Sequence, residues 1–107
     1  MTIDLPAPVR AAIDAADASD TDAFLACFPP DGVVDDWGRE FAGHDEIRGW
    51  SDREFIGVKV DLTVLHVAID DVTVVVTAQV GGDSFNVPSH FTFQVEGDHV
   101  TRMTIRA

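Results

Sequence analysis

The feature that most constrains this chain is an alternation of period two through its second half. Val58, Val60, Leu62 and Val64 alternate with Lys59, Asp61 and Thr63. Val72, Val74, Val76, Ala78 and Val80 alternate with Thr73, Val75, Thr77 and Gln79. Phe85, Val87, Ser89, Phe91, Phe93 and Val95 share one parity of the next run, and Met103 and Ile105 mark the same face of the last. Successive side chains of a strand point to opposite faces, so each run reads as a strand with one apolar face. Only Asp70-Asp71, Gly81-Gly82-Asp83-Ser84 and Glu96-Gly97-Asp98-His99 separate the runs. These are turn residues, and the gaps are too short for a parallel crossover, so the strands follow one another as an antiparallel meander. Leu65, Val67 and Ile69 take the opposite parity to Val64. One extra residue at Val64-Leu65, a β-bulge, produces that flip and bends the sheet.

The apolar face of such a sheet needs a cover, and the first half of the chain supplies it. Val9, Ala12, Ile13 and Ala16 recur at helical spacing after Pro6 and Pro8. Ser19-Asp20-Thr21-Asp22 interrupts that helix and caps a second, whose apolar face is Phe24, Leu25 and Phe28. Pro29-Pro30-Asp31-Gly32 turns the chain into a short strand from Val33 to Trp37, Gly38-Arg39 turns it back, and Glu40-Phe41-Ala42 returns. A third helix opens at Gly43-His44-Asp45-Glu46, carries Ile47 and Trp50 on one side, and closes at Gly57. Helices first and a meander after them predict an α+β fold, the helices packed in the concave face of a strongly curved antiparallel or mixed sheet. The chain's 107 residues fit a single domain, 1–107, without linker or repeat.

Charge narrows the partners. Nineteen acidic residues face seven basic ones, a net charge of -12, with the acids concentrated on the helical half. Such a surface repels phosphate backbones and anionic bilayers, which argues against nucleic acid and membrane as partners. No apolar run approaches a membrane span, and the first residues lack the basic and apolar regions of a signal peptide, so the cytoplasm is the expected location. Cys27 is the single cysteine, which excludes an intrachain disulfide and reads as a small buried hydrophobe. No pair of histidines has a metal-ligand spacing, so neither metal nor cofactor is expected.

The segment Phe28-Pro29-Pro30-Asp31-Gly32-Val33-Val34-Asp35-Asp36 and the helix start Ala42-Gly43-His44-Asp45-Glu46-Ile47-Arg48-Gly49-Trp50 carry a resemblance that extends over nearly the whole chain. It is to the nuclear transport factor two-like superfamily, and within it to the SnoaL-like and ketosteroid-isomerase-like branch. The resemblance implies a cystatin-like cone with an apolar pocket at its open end. Members include isomerases, dehydratases, cyclases and proteins without chemistry, so the fold does not select among them. Asp36 matches the general base of the isomerase-like members. The oxyanion-stabilising tyrosine falls at Ala12, in a chain without tyrosine, and its aspartic acid partner falls at Ser89, a weaker donor.

Parity places Asp36 on the side of Val34, towards the pocket, and Asp35 on the other. Beside Trp37, Trp50 and Phe91, Asp36 would lose water and become a better base near neutrality, with Ser89 as a polar helper. The bland alternative for Asp36 is a strand-end carboxylate bonded to backbone amides near Gly38-Arg39. Asp35, Asp36 and Arg39 could also form an epoxide-hydrolase-like set, though residues crowded on one turn favour a local ion pair. The expected pocket lining is Phe24, Phe28, Val34, Trp37, Trp50, Phe91, Phe93 and Met103, with Phe85 beside them. The ligand is then a hydrophobic small molecule, turned over by acid/base chemistry or simply bound. On the outward parity Thr73, Val75, Thr77, Gln79, Asn86, Thr92 and Gln94 are uncharged, the expected surface of a homodimer. His90 shares that parity. His66 sits at the parity switch, His44 at a helix start and His99 in a turn.

Overall fold

The computed structural model describes residues 5–81 and 86–106. Helix α1, Ala7–Asp17, begins with Pro8 in its first turn and buries Val9, Ala12, Ile13 and Ala16, the face that the spacing predicts. Helix α2, Thr21–Ala26, starts at Asp20, whose side chain accepts a hydrogen bond from the Ala23 amide at 3.1 Å. Strands β1, Val33–Asp36, and β2, Arg39–Ala42, form a hairpin. Helix α3, His44–Glu54, follows, and a single 3-10 turn, Ile56–Val58, leads into the sheet. Gly57 fits only as glycine, because a Cβ there would collide with the Asp52 carbonyl.

The remaining strands are β3, Asp61–Asp70, β4, Thr73–Gly81, β5, Asn86–Glu96, and β6, His99–Arg106. They pair as the antiparallel meander read from the alternation. The register between β3 and β4 shifts between Val64 and His66, leaving Leu65 as the inserted residue of a bulge. The sheet order is β2-β1-β6-β5-β4-β3, and β1 runs parallel to β6. The mixed character arises because β1 joins the sheet beside the last strand, with α3, the 3-10 turn and four strands between them in sequence.

The register aligns the inward side chains in rows across the strands. Val34, Met103, Phe93 and Val74 are successive partners in one row. Asp36, Ile105, Phe91 and Val76 make the next, and Ser89 and Ala78 the one after. The first row is fully buried beneath the helices, as are Phe24, Phe28, Ile47 and Trp50. Leu65 at the bulge and Ile69 beyond it are exposed despite their apolar character. Cys27 is buried, and its thiol is pushed up by that burial. Phe85, the expected hairpin at 82–84 and the facing of Asn86 and Val87 lie outside the described residues.

Candidate active site

β1, β4 and β6 end, and β2, β3 and β5 begin, at one edge of the sheet. There the helices do not fill the concave face, and a cavity of about 330 Å³ remains. Asp36 and Trp37 line it from the β1 end, and Trp50, Arg53 and Glu54 from α3. Phe55 and Val58 follow from the segment after α3, and Val60, Val80, Ser89, Phe91 and Ile105 from the sheet. The aromatic wall is continuous: Phe55 stacks on Trp50 with centroids 4.9 Å apart and lies 6.4 Å from Phe91.

Two carboxylates line the cavity, Glu54 at the end of α3 and Asp36 at the end of β1, and Asp36 is the one expected as a base. Its Oδ2 accepts from the Trp50 indole Nε1 at 3.0 Å and from an Arg39 guanidinium nitrogen at 2.6 Å. No described residue donates to Oδ1, and no buried side-chain oxygen or nitrogen among the described residues lacks a partner. Oδ1 is therefore accessible. Asp36 is not the unpartnered base that apolar neighbours alone would make. One oxygen is fixed by two donors and the other is open.

Arg39 also grips Glu54 with both terminal nitrogens, at 2.7 and 3.0 Å, which ties the β1–β2 hairpin to the end of α3. The guanidinium holds the Glu54 carboxyl below the usual carboxylate range. The close pair of Asp36 and Arg39 is the local ion pair expected from their crowding on one turn. Asp35 has a different role. It is buried on the opposite side of β1, where Arg102 reaches it at 2.7 Å, Arg106 at 3.1 Å and the Gly38 amide at 2.8 Å. The strand-end carboxylate bonded to a turn amide is thus Asp35 and not Asp36. The Arg106 hydrogen bond lowers its carboxyl below the ordinary range, against burial, which acts the other way.

Ser89 is buried on the cavity wall, and its hydroxyl bonds to no described residue. Asp36 and Ser89 lie two strands and one inward repeat apart in the register. On a flat sheet that is about 12 Å between backbones. The two polar groups address different parts of a bound molecule rather than one atom.

Of the residues expected around the pocket, Asp36, Trp37, Trp50, Ser89 and Phe91 meet at the cavity. Phe24, Phe28, Val34, Phe93 and Met103 do not; they are buried in the core. Val34, Phe93 and Met103 share the inward face but stand one row deeper, under the helices. The lining also includes Arg53, Glu54, Phe55, Val58, Val60, Val80 and Ile105, which the sequence reading did not select. Val60, Val80 and Ile105 have the inward parity, and that signal was present. Ala12, which takes the place of the tyrosine, is buried in α1 and is not part of the lining. Among the described residues no three histidine, cysteine, aspartate or glutamate side chains gather to hold a metal ion. No helix among them is long and apolar enough to cross a membrane.

The sequence matches the SnoaL-like domain over residues 9–103. No protein of curated function matches it. Among solved structures, a candidate polyketide cyclase from Sinorhizobium meliloti is 27% identical, with a TM-score of 0.84 and 95% of each chain covered. A Catenulispora acidiphila protein of ketosteroid isomerase-like fold, in complex with trimethylamine, is 23% identical, with a TM-score of 0.84 over 97% of this chain and 87% of that one. A computationally designed 17-OHP binder shares 16% identity and a TM-score of 0.85, with 98% and 92% covered. With the family match spanning both the helices and the sheet that frame the cavity, this chain belongs to the SnoaL-like domain family, within the nuclear transport factor two-like superfamily.

Proposed function

We propose that this protein binds a small hydrophobic molecule in the cavity and that Asp36 moves a proton on it, as an isomerase, cyclase or dehydratase would. The observation that carries this reading is the division of labour on the Asp36 carboxylate. Trp50 and Arg39 orient it through Oδ2, while Oδ1 takes no bond from any described residue and the side chain lines an aromatic-walled cavity. A general base needs that arrangement, a fixed position and a free lone pair within reach of the substrate. Ser89 is the polar helper at the other end of the molecule. The candidate cyclase from Sinorhizobium supports the same class of chemistry.

The test is exchange of the protons next to the carbonyl of 2-tetralone, an enolisable bicyclic ketone, followed by NMR in heavy water. The wild type should exchange them above the buffer rate. Asp36→Asn should lower the protein-dependent rate by about 10²- to 10⁴-fold, the usual contribution of a positioned base. Unchanged exchange in that variant removes Asp36 from the mechanism.

A second reading, ligand binding without chemistry, is favoured by one specific fact. The chain has no tyrosine, and the matching position, Ala12, is buried away from the cavity. Tight binding of 2-tetralone with no exchange above buffer would select that reading. In either case we propose a homodimer formed through the outer face of the sheet.

A further inference from the structure

Arg53 differs from Arg39, Arg48, Arg102 and Arg106 in having no acidic partner within ion-pair distance among the described residues. Arg39 is held by Asp36 and Glu54, Arg48 by Asp22, and Arg102 and Arg106 by Asp35. Arg53 lines the cavity yet forms no hydrogen bond or ion pair with any described residue, although the chain carries 19 acids. Its local setting is unusual as well. Gly49 lies in the middle of α3, where glycine weakens a helix relative to alanine. A Cβ at Gly49 would come within 3.1 Å of an Arg53 terminal nitrogen. The guanidinium thus occupies the room that the missing side chain leaves.

The neighbouring carboxylates do not cancel this charge. Asp36 and Glu54 both bind Arg39, and Glu54 feels Arg53 only as a more distant charge. Asp52 and Arg53 are both exposed, and of the two only Arg53 lines the cavity. The apolar lining that α3 and the segment after it contribute is Trp50, Phe55 and Val58.

We infer that Arg53 is the anion-recognition residue of the cavity, and that the ligand is an amphipathic carboxylate whose apolar body lies against Phe55, Phe91 and Ile105. This rests on the reading of the cavity as a site for a hydrophobic small molecule. A guanidinium binds a carboxylate through two parallel hydrogen bonds, which fixes the orientation of the apolar body. The competing account of Arg53 is a last-turn cation that offsets the helix dipole, and it gives no ligand preference.

Tryptophan fluorescence titrations with 2-naphthylacetate, 2-naphthylacetamide and 2-naphthylethylamine distinguish these accounts. The carboxylate should bind about fivefold tighter than the amide at low salt, the upper range for a solvent-accessible ion pair, and the advantage should shrink at 0.5 M salt. Arg53→Gln should abolish the advantage of the carboxylate over the amide, and Arg53→Lys should keep part of it. Equal affinities for carboxylate and amide in the wild type, or tighter binding of the amine, overturn the inference while leaving the hydrophobic site intact. An advantage that survives Arg53→Gln also overturns it. Binding of none of the three probes overturns the hydrophobic-site reading itself.

Discussion

Trp37 shows how local and functional demands conflict at single residues. The β1–β2 hairpin turns on Trp37 and Gly38, with φ of 55° and 88°. A two-residue turn with both φ positive favours Asn-Gly, and a bulky aromatic residue at the first position is strained. The strain holds an indole that is 60% exposed at the rim of the cavity. Trp37→Asn should therefore stabilise the fold, by about 1 kcal/mol from relief of the left-handed backbone, while weakening binding of 2-naphthylacetamide. A urea titration paired with a fluorescence titration of Trp50 measures both. Loss of stability in the variant would mean that Trp37 packs as core. Phe91 differs, being buried in the second inward row. Phe91→Ala should cost about 3–5 kcal/mol in urea unfolding. A cost under about 0.5 kcal/mol, typical of surface positions, would be incompatible with that place.

At the scale of elements, alternation tells which face a side chain takes but not how deep it lies. Asp36, Ser89 and Phe91 were legible because parity alone separates them from Asp35 and His90. Val34, Phe93 and Met103 share that parity, and only the register reveals that they form a deeper row. The register itself depends on the parallel pairing of β1 with β6, a contact between distant segments that no local pattern encodes. Phe55 carries no signal in the sequence because it follows α3 in an irregular segment, where neither helical nor strand periodicity applies. The bulge was legible, since a parity flip has few other causes. On the outer face, Asp35 joins β1 to β6 through Arg102 and Arg106. Its carboxyl lies below the ordinary range, so it stabilises the fold above the unfolded value and loses that contribution as pH falls through the folded value. Asp35→Asn should lower the urea midpoint equally at pH 7 and pH 5, with the difference from wild type narrowing only below about pH 4. A gap that closes between pH 7 and pH 5 would assign the effect to another group.

On the scale of the whole molecule, the outer face of the sheet is the surface that the fold leaves uncovered. The helices occupy the concave side, and a domain of this size exposes a large share of its surface. The outer face divides in two. On β1, β2 and β6 it carries the cluster of Asp35, Glu40, Arg102 and Arg106, in which each charge has a partner. On β4 and β5 it presents Thr73, Val75, Thr77, Gln79, Thr92 and Gln94, with Thr73 donating to Gln94 across the strands at 3.1 Å. Those uncharged residues stand out on a chain with a net charge of -12. Charge depletion over a broad surface characterises the core of an interface. A two-fold axis sets the same patch against itself, so uncharged residues meet without repulsion and no complementary charge is needed. Light scattering at micromolar concentration and neutral pH should give the mass of a dimer. Thr77→Arg together with Gln94→Arg places four like charges in the contact and should shift the mass to that of a monomer. A monomeric wild type would refute the pairing, and a dimer that persists in the double variant would place the contact on another surface.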